Sequence, residues 1–108
     1  MKISIEEAVN RLHTNEGSTF VQLLRHGSMS VEIYEPREAD LQQPHLQDEI
    51  YVIISGTGRF QNGTDLHSFQ PGDLIFVPAG VEHRFLDFSP DFKTWVIFYG
   101  AAGGESNE

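Results

Sequence analysis

The stretch QPHLQDEIYVIISG, residues 43–56, places polar side chains directly against a run of five apolar ones. The run IYVII is typical of a strand covered on both faces, because a half-buried strand would alternate apolar with polar residues. Polar groups beside such a core are costly to bury unless something satisfies them. A metal ion bound by Gln43, His45 and Glu49 would satisfy them, so the stretch raises the question of a metal site.

The length and composition of the chain indicate one globular domain. Its 108 residues are enough to bury a single core but too few for two. Hydrophobic residues make up 39% of the chain, and eight Phe, three Tyr and one Trp supply large side chains for that core. Disordered chains lack such a composition. We therefore expect a single domain over residues 1–108.

Charge and cysteine content exclude several classes of function. The net charge of -9 opposes binding to nucleic acid or to an anionic membrane surface. No apolar stretch approaches the roughly 20 residues that span a bilayer, and the N-terminal MKISIEEAVN is acidic where a signal peptide would be apolar. Cysteine is absent, so any metal must bind through nitrogen and oxygen. We expect a cytoplasmic protein without nucleic-acid or membrane partners.

The pattern of apolar residues predicts one short helix followed by strands. Ser4 and Glu7 form a capping box, and apolar residues at helical spacing predict a helix over residues 5–13. Strand-forming runs follow at FVQLL (20–24), SMSVEIYEP (28–36), IYVII (50–54), LIFV (74–77) and WVIFY (95–99). The last three runs are continuously apolar, so both of their faces should be covered. Either two sheets close into a barrel, or a partner subunit covers the outside.

Turn signals separate these runs. Asn62-Gly63 predicts a hairpin with a type I′ turn, in which both central residues have positive φ. PGD at 71–73 and PAG at 78–80 predict further turns, at the spacing of an antiparallel all-β domain. The tail AAGGESNE, residues 101–108, has nothing to bury and is expected to be flexible.

The candidate ligands around residue 45 share the parity of an extended strand. Positions 43 and 45 of a strand lie about 7 Å apart on one face, at ~3.3 Å per residue, and Glu49 has the same parity. Two imidazoles and a carboxylate can hold one side of an ion and leave positions for water, oxygen or substrate, as in non-haem iron sites. The amide of Gln43 could add a fourth, weaker oxygen ligand, and His83 would supply the second imidazole.

Glycines and a proline stand at fixed distances from these residues. Six residues separate Glu49 from Gly56, five separate Gly72 from the turn PAG, and two separate that turn from His83. The spacings resemble the two signature motifs of the cupin superfamily. The first motif runs Gly, five residues, His-x-His, three or four residues, Glu, six residues, Gly. The second runs Gly, five residues, Pro-x-Gly, two residues, His, three residues, Asn.

The resemblance covers residues 20–100, nearly the whole chain, and implies an all-β double-stranded β-helix, or jelly-roll barrel, with the short helix at its N-terminus. By position it implies the metal ligands His45, Glu49 and His83. Three positions depart from the motifs: Gln43 replaces the first His, Arg37 the first Gly and Asp87 the final Asn.

The resemblance implies one divalent transition metal (Fe, Mn, Ni, Co, Cu or Zn) and a small-molecule substrate or ligand. One hypothesis is an enzyme of the dioxygenase, isomerase or lyase type, in which Glu49 could alternate between metal ligand and proton acceptor. The alternative is a non-catalytic module or sensor that binds a small molecule through the metal.

Two further expectations concern the surroundings of the site and the assembly. Tyr51 and Phe85 are the expected neighbours of the substrate pocket, because the interior of a cupin barrel is where an apolar substrate wall would lie. The doubly apolar strands, together with the habits of small cupins, predict a homodimer.

Overall fold

Eight strands and one helix form the structure, a computed structural model that describes residues 1–106. The helix α1 is Ile5–Thr14. The strands are β1 Phe20–His26, β2 Met29–Tyr34, β3 Asp48–Ser55, β4 Gly58–Asn62, β5 Asp65–Phe69, β6 Leu74–Val77, β7 His83–Leu86 and β8 Lys93–Tyr99.

The strands pair into two antiparallel sheets. The larger sheet has the order β1-β2-β8-β3-β6, and the smaller has the order β5-β4-β7. Strand β8, last in the chain, lies between β2 and β3, so the chain winds back into the middle of the larger sheet. This mostly-β architecture of two sheets and one short helix confirms the predicted jelly-roll class.

An aromatic core fills the space between the two sheets. The larger sheet contributes Tyr51, Ile53 and Val96, the smaller contributes Phe60, Phe69 and Phe85, and Phe92 joins them from the segment before β8. The ring centroids of Phe85 lie 4.6 Å from those of both Phe60 and Phe92. This packing closes the interior of the sandwich on the side away from its polar residues.

The outer face of the larger sheet is covered over one half only. Helix α1 buries Ala8 and Leu12 against Leu23 of β1 and Ile33 of β2. Farther along the sheet, Leu74 and Phe76 of β6 are 67% and 45% exposed. The apolar run of β6 therefore has one face in the core and one face open in this chain.

The predicted helix and hairpin are present, and the hairpin is shifted by one residue. The side chain of Ser4 accepts a hydrogen bond from the Glu7 N–H at 3.1 Å and caps α1. In the hairpin Asn62 pairs with Asp65, so Gly63 and Thr64 are the central residues of the turn. Only Gly63 of these two has positive φ, at 61°. The predicted type I′ turn is wrong, because this pattern is that of type II′.

The described part of the tail, residues 101–106, makes backbone hydrogen bonds to the rest of the chain. The Gly103 N–H donates to the Leu46 carbonyl at 2.7 Å, and the Glu105 N–H donates to Asp48 Oδ2 at 2.8 Å. These acceptors lie in the loop before β3 and at the first residue of β3. Residues 107–108 lie outside the described residues.

Within residues 1–106, no helix has the length and apolar character needed to cross a bilayer.

Candidate metal centre

Three predicted ligands converge at the end of the sandwich where β3 and β7 begin. His45 lies in the loop before β3, Glu49 is the second residue of β3, and His83 is the first residue of β7. One nitrogen from each histidine and one carboxylate oxygen lie within 4.8 Å of one another. Residues 38 positions apart in the chain are thus brought together by the packing of the two sheets.

The tautomer of His83 is fixed by the backbone. Its Nδ1 lies 2.9 Å from the Val81 carbonyl oxygen, and because a carbonyl only accepts, Nδ1 carries the proton. The lone pair of the neutral ring then sits on Nε2, which lies 3.1 Å from Glu49 Oε1. Two acceptors at that distance repel each other unless a proton or a metal ion lies between them.

With His83 neutral, two buried atoms of the cluster have no donor from which to accept a hydrogen bond. They are His83 Nε2 and Glu49 Oε2, in side chains that are almost fully buried. An unsatisfied buried polar group costs about 1–3 kcal/mol, and a charged one costs more. A divalent cation would satisfy both atoms, and two imidazoles with a carboxylate form a donor set suited to first-row transition metals. The residues present therefore fit a metal ion.

The two imidazoles differ in their affinity for a proton. Burial lowers the pKa of His45, and the nearby charge of Glu49 only partly offsets that effect. Burial also disfavours the charged form of His83. The hydrogen bond with Glu49 and the bond to the Val81 carbonyl outweigh that effect, so its pKa is raised. A proton therefore competes more strongly for His83 than for His45, which is the more readily available as a neutral ligand.

Gln43, the predicted fourth ligand, lies on the surface. Its side chain is exposed, because residues 35–47 form a loop and β3 begins only at Asp48. The predicted parity of residues 43, 45 and 49 applies to an extended strand, and the chain is not a strand before Asp48. The neighbouring Gln42 faces inward instead, with its Oε1 3.1 Å from His45 Nε2.

Asp40, which the sequence analysis missed, organises this inward-facing loop. Its carboxylate is 2% exposed and accepts hydrogen bonds from the Tyr34 hydroxyl at 2.7 Å and the Phe85 N–H at 2.9 Å. It also accepts from the Gln42 backbone N–H at 3.2 Å and side-chain Nε2 at 2.9 Å. An acidic residue in a loop is usually solvated, and no signal in the sequence distinguishes Asp40 from such residues.

The two expected pocket residues lie beneath the cluster, in the core. The Tyr51 ring is 6.1 Å from that of His83, and its hydroxyl donates to Gln42 Oε1 at 3.1 Å. Burial, followed by the charge of Glu49, raises the pKa of Tyr51. Phe85 lies one layer deeper, packed 4.8 Å from the Tyr51 ring. Both are fully buried, so neither lines an open pocket.

An open cleft of about 400 Å³ lies beside His45. Its other lining residues include Gln22, Arg25, Ser30, Glu32 and Phe98. Burial and the charge of Glu49 raise the pKa of Glu32. The cleft thus carries both a cationic and an acidic side chain next to one of the candidate ligands.

The remaining departures from the motifs lie away from the cluster. Asp87 has a φ of 51°, is exposed, and accepts a hydrogen bond from Arg59 Nε at 2.9 Å. Asn and Asp tolerate this left-handed conformation better than most residues, so Asp can replace the Asn of the motif at a turn. Arg37 is exposed.

Comparisons with known proteins find relatives in sequence and in structure. An uncharacterised protein of Streptomyces coelicolor is 37% identical over 86 residues, covering 78% of this chain and 81% of that protein. Acireductone dioxygenase 4 of Arabidopsis thaliana is 29% identical over 103 residues, covering 88% of this chain but only 55% of that protein. This chain thus spans about half the length of that relative.

The structure and the family model lead to the same assignment. The crystal structure of a cupin-2 domain containing protein from Shewanella frigidimarina superposes with a TM-score of 0.69 at 17% identity, covering 91% of this chain and 94% of that one. This likeness concerns the fold alone. The family model described as a cupin domain matches residues 30–89. The chain belongs to the cupin family.

Proposed function

We propose that this cupin is a metal-dependent enzyme of the dioxygenase type, acting on a small oxygen-rich substrate at a single ion. The observation that carries the proposal is the pair His83 Nε2 and Glu49 Oε1, two buried acceptors 3.1 Å apart with a fixed tautomer on the histidine. Two such acceptors destabilise a core, whereas a cation between them would be attracted to both.

The similarity to an acireductone dioxygenase favours dioxygenase chemistry over the isomerase and lyase types. A reductone is an enediol beside a carbonyl group, so neighbouring oxygens of one substrate can chelate one ion. Because this fold hosts many unrelated functions, the substrate class rests on that relative and on the donor set, not on the fold.

Each residue of the site has a defined task in this proposal. His45, Glu49 and His83 hold the ion, which when bound supplies Lewis-acid and redox chemistry. Glu49 would alternate between ligand of the ion and acceptor of a proton from the substrate. The cleft beside His45 admits the substrate, and Arg25 at its wall can pair with an anionic oxygen.

The metal that copurifies with the protein shows which ion the site binds. The affinity order of divalent ions alone favours copper and zinc over iron for nitrogen and oxygen donors. We therefore measure metals by mass spectrometry after purification without chelator or metal-affinity resin. About one transition-metal ion per chain is expected, since one cluster of three such ligands lies within the described residues.

The activity test combines oxygen consumption with the His83→Ala variant. Metal-loaded wild-type protein should consume oxygen when a reductone is added, and His83→Ala should lose most of its metal while keeping a cooperative thermal transition. A fully metallated His83→Ala variant would refute the ligand assignment. If the loaded wild-type protein binds the reductone without consuming oxygen, the non-catalytic binding module is the correct function.

A cytoplasmic location and a homodimer stay predictions.

A further inference from the structure

We propose that the side-chain oxygen of Gln42 is a fourth protein ligand of the metal, held in place by the buried carboxylate of Asp40. The proposal rests on the metal centre described above and adds to it a residue outside the His-x-His pattern. In the motif the position of the first His is occupied by Gln43, but that side chain is exposed, and its neighbour provides the inward-facing amide.

The orientation of the Gln42 amide follows from its partners. Its nitrogen lies 2.9 Å from Asp40 Oδ2, and an ionised carboxylate only accepts hydrogen bonds, so this end of the amide must be the NH₂ group. The oxygen therefore points the other way, toward His45 Nε2 and the Tyr51 hydroxyl, each 3.1 Å from it.

These separations match those between neighbouring ligands of one ion. Bonds of about 2.1 Å at right angles put two ligand atoms roughly 3.0 Å apart, and a tetrahedral angle puts them roughly 3.4 Å apart. Gln42 Oε1 and His45 Nε2 are 3.1 Å apart, and Glu49 Oε1 and His83 Nε2 are also 3.1 Å apart. Gln42 Oε1 is thus as far from His45 Nε2 as Glu49 Oε1 is from His83 Nε2.

Asp40 supplies the rigidity that a weak neutral ligand needs. Four donors from β2, β7 and the loop itself converge on its carboxylate, which fixes both the backbone and the amide of Gln42. In the metal-free protein Gln42 Oε1 can accept the Nε2 proton of His45. When an ion replaces that proton, the oxygen already faces the site, and little side-chain entropy is lost on binding.

The experiment compares Co²⁺ binding by wild-type protein, Gln42→Leu and the matched control Gln43→Leu. Each purified protein is stripped of metal and titrated with Co²⁺, and both the dissociation constant and the visible absorption spectrum are recorded. We expect Gln42→Leu to bind about 10- to 100-fold more weakly, the scale of losses around metal ligands, and to show a changed spectrum because the donor set has changed. Gln43→Leu should match wild type in both.

The possible results separate this proposal from the metal site itself. If wild-type protein binds no Co²⁺, the metal centre fails and this proposal fails with it. If wild type binds, and Gln42→Leu binds equally with the same spectrum, only the ligand role of Gln42 is refuted. A weaker Gln42→Leu complex with an unchanged spectrum also refutes it, since Gln42 would then only orient His45. Should Gln42→Leu not fold, the near-isosteric Gln42→Met undergoes the same titration with the same criteria.

Discussion

At the scale of single residues, the hydrogen bond from His83 Nδ1 to the Val81 carbonyl governs the chemistry of the site. It leaves Nε2 as the only free nitrogen of the ring and aims it at Glu49. A proton and a metal ion therefore compete for the same gap between the two side chains. Histidines that bind metals commonly donate a hydrogen bond from their other ring nitrogen, which fixes the tautomer and the orientation of the ring.

This competition predicts a pH-dependent affinity for metal. The raised pKa of His83 means that its proton competes already above the ordinary value of about 6.5, whereas the lowered pKa of His45 means that its proton competes only below it. Affinity should therefore fall as pH falls, first through His83 and then through His45. The measurement is the rise in melting temperature on adding Mn²⁺, which should be large near pH 8 and small near pH 5.5.

The stability of the metal-free protein provides the control for this experiment. The raised pKa of His83 stabilises the metal-free fold below about pH 6.5, and that contribution is lost as pH rises through the folded-state pKa. The lowered pKa of His45 acts in the opposite direction, as its contribution is present above about 6.5 and is lost as pH falls. The effect of pH on metal binding is therefore the difference in melting temperature between metal-loaded and metal-free protein at each pH. An equal metal-induced shift at both pH values would argue against histidine ligation.

At the scale of elements, the glycine that ends the first motif is required by the turn after β3. Gly56 has a φ of 87°, and a Cβ added there would lie 2.5 Å from Phe92 Cα. Because that neighbour is backbone of the segment leading into β8, it can move only if the sheet moves. The motif glycine thus allows the end of β3 farther from Glu49 to approach the β8 segment closely.

The prediction is that Gly56→Ala destabilises the protein by about 2–5 kcal/mol, the sum of left-handed strain and overpacking. Gly72→Ala is the matched control, since Gly72 has a φ of 90° but a Cβ there meets nothing within 4 Å. It should cost only the strain of about 1–2 kcal/mol. Urea denaturation of both variants measures the difference. Equal destabilisation would show that the close approach to Phe92 contributes nothing.

The strands of this protein were predictable from sequence and its long loop was not, for a physical reason. Strands β3, β6 and β8 were predictable because their apolar runs indicate burial directly. The cluster of His45, Glu49 and His83 was predictable because their spacing matches the two motifs. The inward turn of the loop over residues 35–47 was not predictable. It depends on hydrogen bonds to Asp40 from β2 and β7, which are distant in sequence. The motif position and strand parity therefore point to Gln43, whereas the loop turns the half-buried Gln42 inward.

At the scale of the whole molecule, the open half of the larger sheet supports the prediction of a homodimer. Phe76 pairs with Ile50 and Leu74 pairs with Val52, so these apolar side chains lie on one outer face. Leu74 and Phe76 are substantially exposed there. An exposed apolar face of this kind is typical of an interaction surface. A second copy of the chain would cover what α1 leaves open.

Sedimentation equilibrium tests this prediction. Wild-type protein should sediment with twice the chain mass of 12.2 kDa, and Phe76→Glu should shift it toward the monomer by placing a charge in the apolar contact. The exposed Leu66→Glu on β5, in the smaller sheet, is the control and should leave the mass unchanged. A wild-type protein that sediments as a monomer at high concentration would contradict the prediction.

The aromatic packing between the sheets has a consequence for which molecules the protein can discriminate. Tyr51, Phe60, Phe85 and Phe92 close the interior beneath the cluster, while the cleft beside His45 stays open. In the proposed function the chelating end of a substrate would enter through this cleft, and a chain attached to that end would extend toward solvent. The protein should be selective for the chelating end of a molecule and indifferent to the length of its chain. A reductone tethered by its far end to a resin would still reach the site, which makes the protein suited to capture on an immobilised ligand.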